Sequence, residues 1–188
     1  MAAVIIGYIL GSVPVSLLVA RHHGVDLRTT SDGNPGAWNA LEQLGPRRAW
    51  PAFAGDGLKG ALAALAGYAL GGWWVAWAAV AAAMLGHAFP LFARLRGGKA
   101  VMTFVGGGLA LAPWAAAVCL ALCLAVSLVF SFKWGARAGV FAFPFVQLAT
   151  DPVAHVAATG VLMSLIGLLF LLDTSGRARS APASQPPS

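Results

Sequence analysis

Apolar residues in this chain run in long unbroken blocks, and polar residues gather between the blocks instead of alternating with them. The blocks predict helices over residues 2–20, 49–70, 73–92, 101–112, 114–131, 138–150 and 154–172. Gly71-Gly72, Pro113 and Asp151-Pro152 read as tight turns between paired helices. Blocks 101–112 and 138–150 are shorter than a full crossing of ~20 residues and read as partial or tilted helices. Polar loops over 21–48, 93–100 and 132–137 separate the pairs. The tail 173–188, rich in Ser, Ala and Pro, is expected to be disordered, which leaves 1–172 as one membrane domain.

Composition turns these helices into membrane spans. The chain is 59% apolar and 10% charged, against about 25% charged in soluble domains. A single soluble core of 188 residues cannot hide that much apolar surface, so the fold class is an all-α polytopic membrane protein. Block 2–20 has no basic leader and no small-residue cleavage site before the first loop, and reads as a retained span.

Charge then sets the expected orientation. The net charge is +6. Arg21, Arg28, Arg47, Arg48, Lys59, Arg94, Arg96, Lys99, Lys133, Arg137, Arg177 and Arg179 all fall on one side of the seven-span arrangement. The positive-inside rule makes that side cytoplasmic and the N-terminus external, and accounts for the charge without nucleic acid. Trp50, Trp73, Trp74, Trp77, Trp114 and Trp134 lie mostly near span ends, as an interfacial belt requires. Cys119 and Cys123, four apart on one helix, read as packing residues.

Candidate chemistry gathers in three places. In the first loop, Asp26, Arg28, Gly33, Asn34, Gly36 and Asn39 lie within fourteen residues. Its glycines permit a backbone that converges N–H groups on an anion, Arg28 offers a bidentate clamp, and the two Asn amides can donate. A flexible connector is the bland alternative. Asp56 and Lys59 stand three apart in an apolar span, where ionisable groups are costly and suggest function; a plain ion pair, or Lys59 reaching for the headgroups, is the structural alternative. In the second loop, Gly97-Gly98-Lys99 precedes a helix whose positive end suits a phosphate, although the Walker spacing is absent; the alternative is a turn with topology-setting cations. His87 and Asn39 are the candidate catalytic groups, with His87 equally readable as a helix-terminal residue. His155 reads as structural. His22 and His23 lie four and three before Asp26, not at the spacing of a His-x4-Asp dyad, and no Cys/His cluster suggests a metal. No cofactor is expected.

Taken in order, these pieces resemble the PlsY family of bacterial acyl-phosphate:glycerol-3-phosphate acyltransferases. Gly11-Ser12-Val13-Pro14, Asp26-Leu27-Arg28, Gly33-Asn34-Pro35-Gly36-Ala37-Trp38-Asn39, Leu44-Gly45, Asp56-Gly57-Leu58-Lys59-Gly60, Gly86-His87-Ala88-Phe89-Pro90 and Gly97-Gly98-Lys99 follow the family pattern over about three-quarters of the chain. The resemblance implies acyl transfer from acyl phosphate to the 1-hydroxyl of glycerol 3-phosphate, giving lysophosphatidic acid, at the cytoplasmic face of the bacterial inner membrane. It implies phosphate binding by Arg28, Lys59, Lys99 and Arg137, cradles shaped by Gly33, Asn34, Gly36, Gly97 and Gly98, orientation of Lys59 by Asp56, and positioning of the second loop by His87. The partners implied are those two substrates and membrane lipids.

The chain departs from the pattern at several positions. Ser31-Asp32 replaces Gly-Ser, and a carboxylate at 32 is expected to repel phosphate, with Ser31 able to substitute by a small backbone shift. Glu42 replaces an Arg. Ala100 and Met102 replace Gly and Ala. The third motif is reduced to Arg137, and the C-terminal His/Asn pattern has no match. These departures leave two other readings open: a diverged paralogue with another phosphorylated substrate, and a non-catalytic membrane partner or small-anion transporter on the same scaffold.

Overall fold

A computed structural model describes residues 1–180, with side chains as far as Asp173. Among the described residues every regular element is helical. The helices are α1 (Ala2–Gly11), α2 (Val15–His22), α3 (Ala37–Leu44), α4 (Pro46–Ala88), α5 (Val101–Leu111), α6 (Pro113–Val129), α7 (Phe132–Gln147) and α8 (Val153–Ser180), with a 3-10 turn at Leu91–Ala93. At 1.5 Å per residue α4 would be roughly 65 Å long, too long for one crossing. It folds into two arms at Gly71-Gly72, where Gly72 takes φ 77°, a conformation open to glycine because it has no Cβ. With α1–α2 as one span and α4 as two, seven segments form the bundle, as the hydropathy blocks predict. Ala2–His22, Pro46–Ala93 and Val153–Asp173 are each long and apolar enough to cross a membrane. Leu128, Trp114 and Phe145 are among many large apolar side chains left on the outer surface, which suits lipid as the surrounding solvent. The chain is a polytopic α-helical membrane protein.

Several boundaries differ from the hydropathy reading, each for a local reason. Block 2–20 is broken at Ser12–Pro14, because proline lacks an N–H and disfavours a helical residue before it. The expected first loop contains α3, whose Ala37, Ala40, Leu41 and Leu44 recur at helical spacing inside a polar stretch. Gly45, at φ 73°, ends α3 and Pro46 starts α4. The expected third loop is the first part of α7, which begins right after the break at Phe130 and Ser131. The expected tail is helical to Ser180, and the sequence has no proline between Pro152 and Pro182 to break it; its remainder, 181–188, lies outside the described residues.

In lipid, helices associate through close contact of small residues, not through a hydrophobic difference. Gly7 and Gly11 of α1 lie on the backbone of Ala79 and Ala83 in the second arm of α4. Gly57 and Gly60 of the first arm meet α5 at Gly106 and Thr103. Gly135 and Gly139 of α7 meet α6 at Cys123, Ser127 and Cys119; both cysteines are unpaired and pack there as expected. The main core gathers around Val80, Met84, Phe104, Phe143 and Leu162. A second, smaller core of Leu17, Leu27, Ala37, Ala40, Ala52 and Ala93 seats the first loop and α3 on α2 and α4.

The tryptophans divide. Trp50, Trp74, Trp114 and Trp134 are exposed, but Trp73 and Trp77 turn inward and donate to the carbonyls of Leu111 (3.2 Å) and Ala158 (2.9 Å). His155 stacks on Trp73 at 3.6 Å between ring centroids. The α4 turn is thereby tied to the ends of α5 and α8 instead of forming part of a lipid-facing belt.

Gly60→Leu places a side chain on the Thr103 carbonyl oxygen and should destabilise the detergent-solubilised protein by about 1–3 kcal/mol in thermal unfolding. Gly160→Ala, where a Cβ meets nothing within 4 Å, should be neutral by the same measurement.

Candidate functional site

The site has an inner and an outer tier, and the two glycine loops join them. The inner tier begins with Asp56 and Lys59, one turn apart on the first arm of α4 and almost fully buried. The Lys59 ammonium lies 2.8 Å from Asp56 Oδ1 and donates to the Val13 carbonyl at 3.2 Å. That carbonyl is presented to it by the break between α1 and α2. The Ser16 hydroxyl donates to Asp56 Oδ2 at 2.5 Å. His87, near the end of α4, puts Nδ1 3.6 Å from Asp56 Oδ1, a separation longer than a hydrogen bond. The space among these groups is about 10 Å³, room for a water and not for a substrate.

His87 carries this tier to the second loop. A Cβ on Gly98 would lie 2.5 Å from His87 Nε2, and one on Gly97 would overlap the His87 carbonyl oxygen. Only glycine admits so close an approach of the loop to the helix end. The Gly97 and Gly98 N–H groups donate to the carbonyls of Ala88 (3.0 Å) and His87 (3.1 Å). These two glycines therefore shape the loop, while their own N–H groups are committed to α4.

Arg28 joins the first loop to the second. Its Nη2 donates to the Ala93 carbonyl at 2.7 Å and to the Arg96 carbonyl at 3.0 Å. Asn39 is buried, and its amide nitrogen donates to the carbonyls of Leu27 (2.9 Å), Thr30 (3.1 Å) and Asn34 (3.0 Å). Its oxygen accepts from the Thr30 hydroxyl at 3.2 Å. Asn39 is thus the internal brace of the first loop. Gly33 turns that loop at φ 65°, and Gly36 precedes α3 with the Asn34 amide packed over it.

The outer tier is a cleft of about 230 Å³ between the second loop and α8. Asn34, Arg96, Gly98 and Lys99 line one side, and Leu169, Leu172 and Asp173 the other. Lys99 Nζ lies 2.9 Å from Asp32 Oδ2 and 2.8 Å from Asp173 Oδ2, with the Phe170 ring centroid at 4.5 Å. Lys99 lies two residues before α5, whose N-terminus has no side-chain cap. Ser31, Arg94, Leu95 and Ala100 all hold positive φ in these two loops, a strain that tends to collect at functional sites.

The structure brings Gly97, Gly98, Lys99, Asn34, Asp56, Lys59 and His87 to these two connected tiers. Arg137 is apart from them, on the exposed face of α7 over the Trp134 ring at 5.2 Å. Sequence reasoning missed Ser16 and Asp173. Ser16 had a signal, a hydroxyl one turn from Ser12 in an otherwise apolar span; Asp173 had none, because its partner is 74 residues away. The departures from the family pattern also find partners. Glu42 accepts from the Ser31 hydroxyl and from the Trp38 indole, each at 2.7 Å, so Ser31 is held by Glu42 and not turned toward Lys99.

The profile of the family described as glycerol-3-phosphate acyltransferase matches residues 1–176. A glycerol-3-phosphate acyltransferase of Rubrobacter xylanophilus is 40% identical over 84% of this chain and 81% of its own length. One from Jannaschia sp. is 36% identical over 97% of this chain and 89% of its own length. Among solved structures, PlsY (YgiH), an integral membrane glycerol 3-phosphate acyltransferase in its glycerol 3-phosphate form, is similar at TM-score 0.77 and 30% identity, covering 94% of this chain and 88% of that one. Its lysophosphatidic acid form is similar at TM-score 0.76. With the motif order, the seven-segment bundle and the loop-built site in agreement, this chain belongs to the glycerol-3-phosphate acyltransferase family.

Proposed function

We propose that the protein transfers an acyl group from acyl phosphate to the 1-hydroxyl of glycerol 3-phosphate, giving lysophosphatidic acid and inorganic phosphate. The hydroxyl oxygen bonds to the acyl carbon, the carbon–oxygen bond to the donor phosphate breaks, and the hydroxyl proton leaves with the phosphate. The donor is already activated, so the protein needs to align the reactants and stabilise negative charge. The observation that carries this reading is the outer cleft: the cations Arg96 and Lys99 line it together with the Asn34 amide, and the apolar side chains of Leu169 and Leu172 line it as well. A phosphate binds at the first wall, and an acyl chain entering from lipid lies along the second.

In this reading Lys99 contacts phosphate. Asp56, Lys59 and His87 act as positioning residues, because Asp56 and Lys59 are engaged with each other and with the backbone, His87 packs beside them and the space there is too small for a substrate. Arg28 holds the two loops together while adding positive charge behind the cleft. Asn39, Gly33 and Gly36 keep the first loop in shape. Arg137 contributes to the field of the face and to its topology. Residues 1–172 act as the catalytic membrane domain, in the bacterial inner membrane, with the N-terminus outside and the cleft on the cytoplasmic side; the placement of the Lys and Arg residues supports that orientation.

Purified protein supplied with acyl phosphate and labelled glycerol 3-phosphate should produce lysophosphatidic acid. Lys99→Ala should lower kcat/KM by roughly 100-fold or more while inserting normally; undiminished turnover in that variant would overturn the assignment of Lys99, and no product from folded wild-type protein would overturn the reaction. Lys59→Met strands the Asp56 carboxylate and should destabilise the fold by about 3–5 kcal/mol in thermal unfolding. Combining it with Asp56→Asn should recover most of that loss. With Cys119 and Cys123 changed to Ala, Arg48→Cys should react with an impermeant maleimide only when the cytoplasmic face is opened; labelling in intact cells would reverse the orientation.

A further inference from the structure

One ammonium, Lys99, carries two carboxylates, from chain segments 141 residues apart: Asp32 in the first loop at 2.9 Å and Asp173 of α8 at 2.8 Å. Asp32 is oriented for this role, since its Oδ1 accepts from the Asn34 N–H at 3.1 Å while Oδ2 faces Lys99. Asp173 ends the apolar stretch Val153–Asp173, and Lys99 lies two residues before α5. The pair therefore lies at the lipid boundary, at the depth where headgroup phosphates are dense. A bare lysine at that depth would attract any phosphate.

We propose that Asp32 and Asp173 are specificity residues: by holding Lys99 between them, they admit a dianionic phosphate monoester and exclude monoanionic phosphodiesters, chiefly the headgroups of the surrounding lipids. This rests on the reading that the cleft binds glycerol 3-phosphate. Any anion that reaches Lys99 must displace a carboxylate. Exchanging one monoanion for another gains no Coulomb energy, whereas a dianion gains the attraction of its second charge. Among the described residues, Arg96 also lines the cleft, and the two carboxylates lower the positive charge that an arriving diester meets at Lys99. Arg28 is bound to the loop carbonyls behind. Weakening the site for every anion leaves bound only the ligand with charge to spare. It gives a physical role to the carboxylate at position 32, where the family pattern has a serine.

The test compares the full-length wild-type protein with Asp32→Asn, Asp173→Asn and the double variant in detergent free of phosphodiesters. Protection against thermal unfolding is titrated with methyl phosphate, a monoester, and with dimethyl phosphate, a diester. The double variant should bind dimethyl phosphate roughly tenfold more tightly than wild type, with methyl phosphate affinity equal or higher; Asp173→Glu should retain the wild-type discrimination. In turnover, glycerophosphoglycerol and vesicles of rising phosphatidylglycerol content should inhibit the double variant and leave wild type unaffected. Unchanged diester affinity, or weaker monoester binding in the Asn variants, would overturn the proposal. Inhibition by the soluble diester but not by the vesicles would overturn the headgroup as the excluded ligand. Wild-type protein that makes no lysophosphatidic acid would refute the acyl-transfer reading instead, and the binding titrations would still decide the discrimination.

Discussion

The Asp56–Lys59 ion pair, buried in an apolar helix arm, is the constraint on which the rest of this structure depends. Two charges withdrawn from water carry a desolvation cost of several kcal/mol each unless close partners compensate it. The compensation comes from three other places in the chain. The Ser16 hydroxyl binds the carboxylate, the Val13 carbonyl takes the ammonium, and His87 approaches the carboxylate from the second arm. A continuous first helix would direct its carbonyls along its own axis. The break at Ser12–Pro14 makes the Val13 carbonyl available across the interface, and what looks like a defect in the span is a required part of the cluster.

Glycine makes these distances possible. Gly7 and Gly11 let α1 reach the backbone of the second arm, and Gly57 and Gly60 do the same for the first arm and α5. The separation of helix axes near the site is therefore set by backbone contact. The loops inherit that closeness, since Gly97 and Gly98 fit against His87 with no room for a side chain. Arg28 then bridges loop to loop, and Asn39 braces the first loop from within. Buried charge, helix approach and loop shape form one connected arrangement, and its outer end is Lys99.

The departures from the family pattern are coupled to one another. Ser31 and Glu42 bind each other, with Trp38 donating to the same carboxylate. Asp32 is drawn to Lys99 together with Asp173. The acidic positions thus change how the positive charge of the cleft is presented without removing the lysine or the glycines that hold it.

Much of the fold was legible because lipid imposes a simple rule: a span must be apolar and must satisfy its own backbone, so long apolar blocks are helices and cations mark the loops. The seven segments, the Gly71-Gly72 turn and the packing role of Cys119 and Cys123 follow from that rule. So does the importance of Asp56 and Lys59, since charges in such a block stand out. Helix α3 was missed because a short amphipathic helix among turn residues carries little signal, and the inward turn of Trp73 and Trp77 because periodicity does not tell a lipid-facing tryptophan from one bonded to a neighbouring helix. Which residues meet was decided only by the tertiary structure. The partnership of Asp56 with Ser16 and His87, of Arg28 with the second loop, and of Lys99 with Asp32 and Asp173 joins segments tens of residues apart. Local sequence determines what a segment is through its own solvent preference and hydrogen bonds, whereas a site built between segments depends on how closely their backbones approach, which the packing of the whole bundle sets.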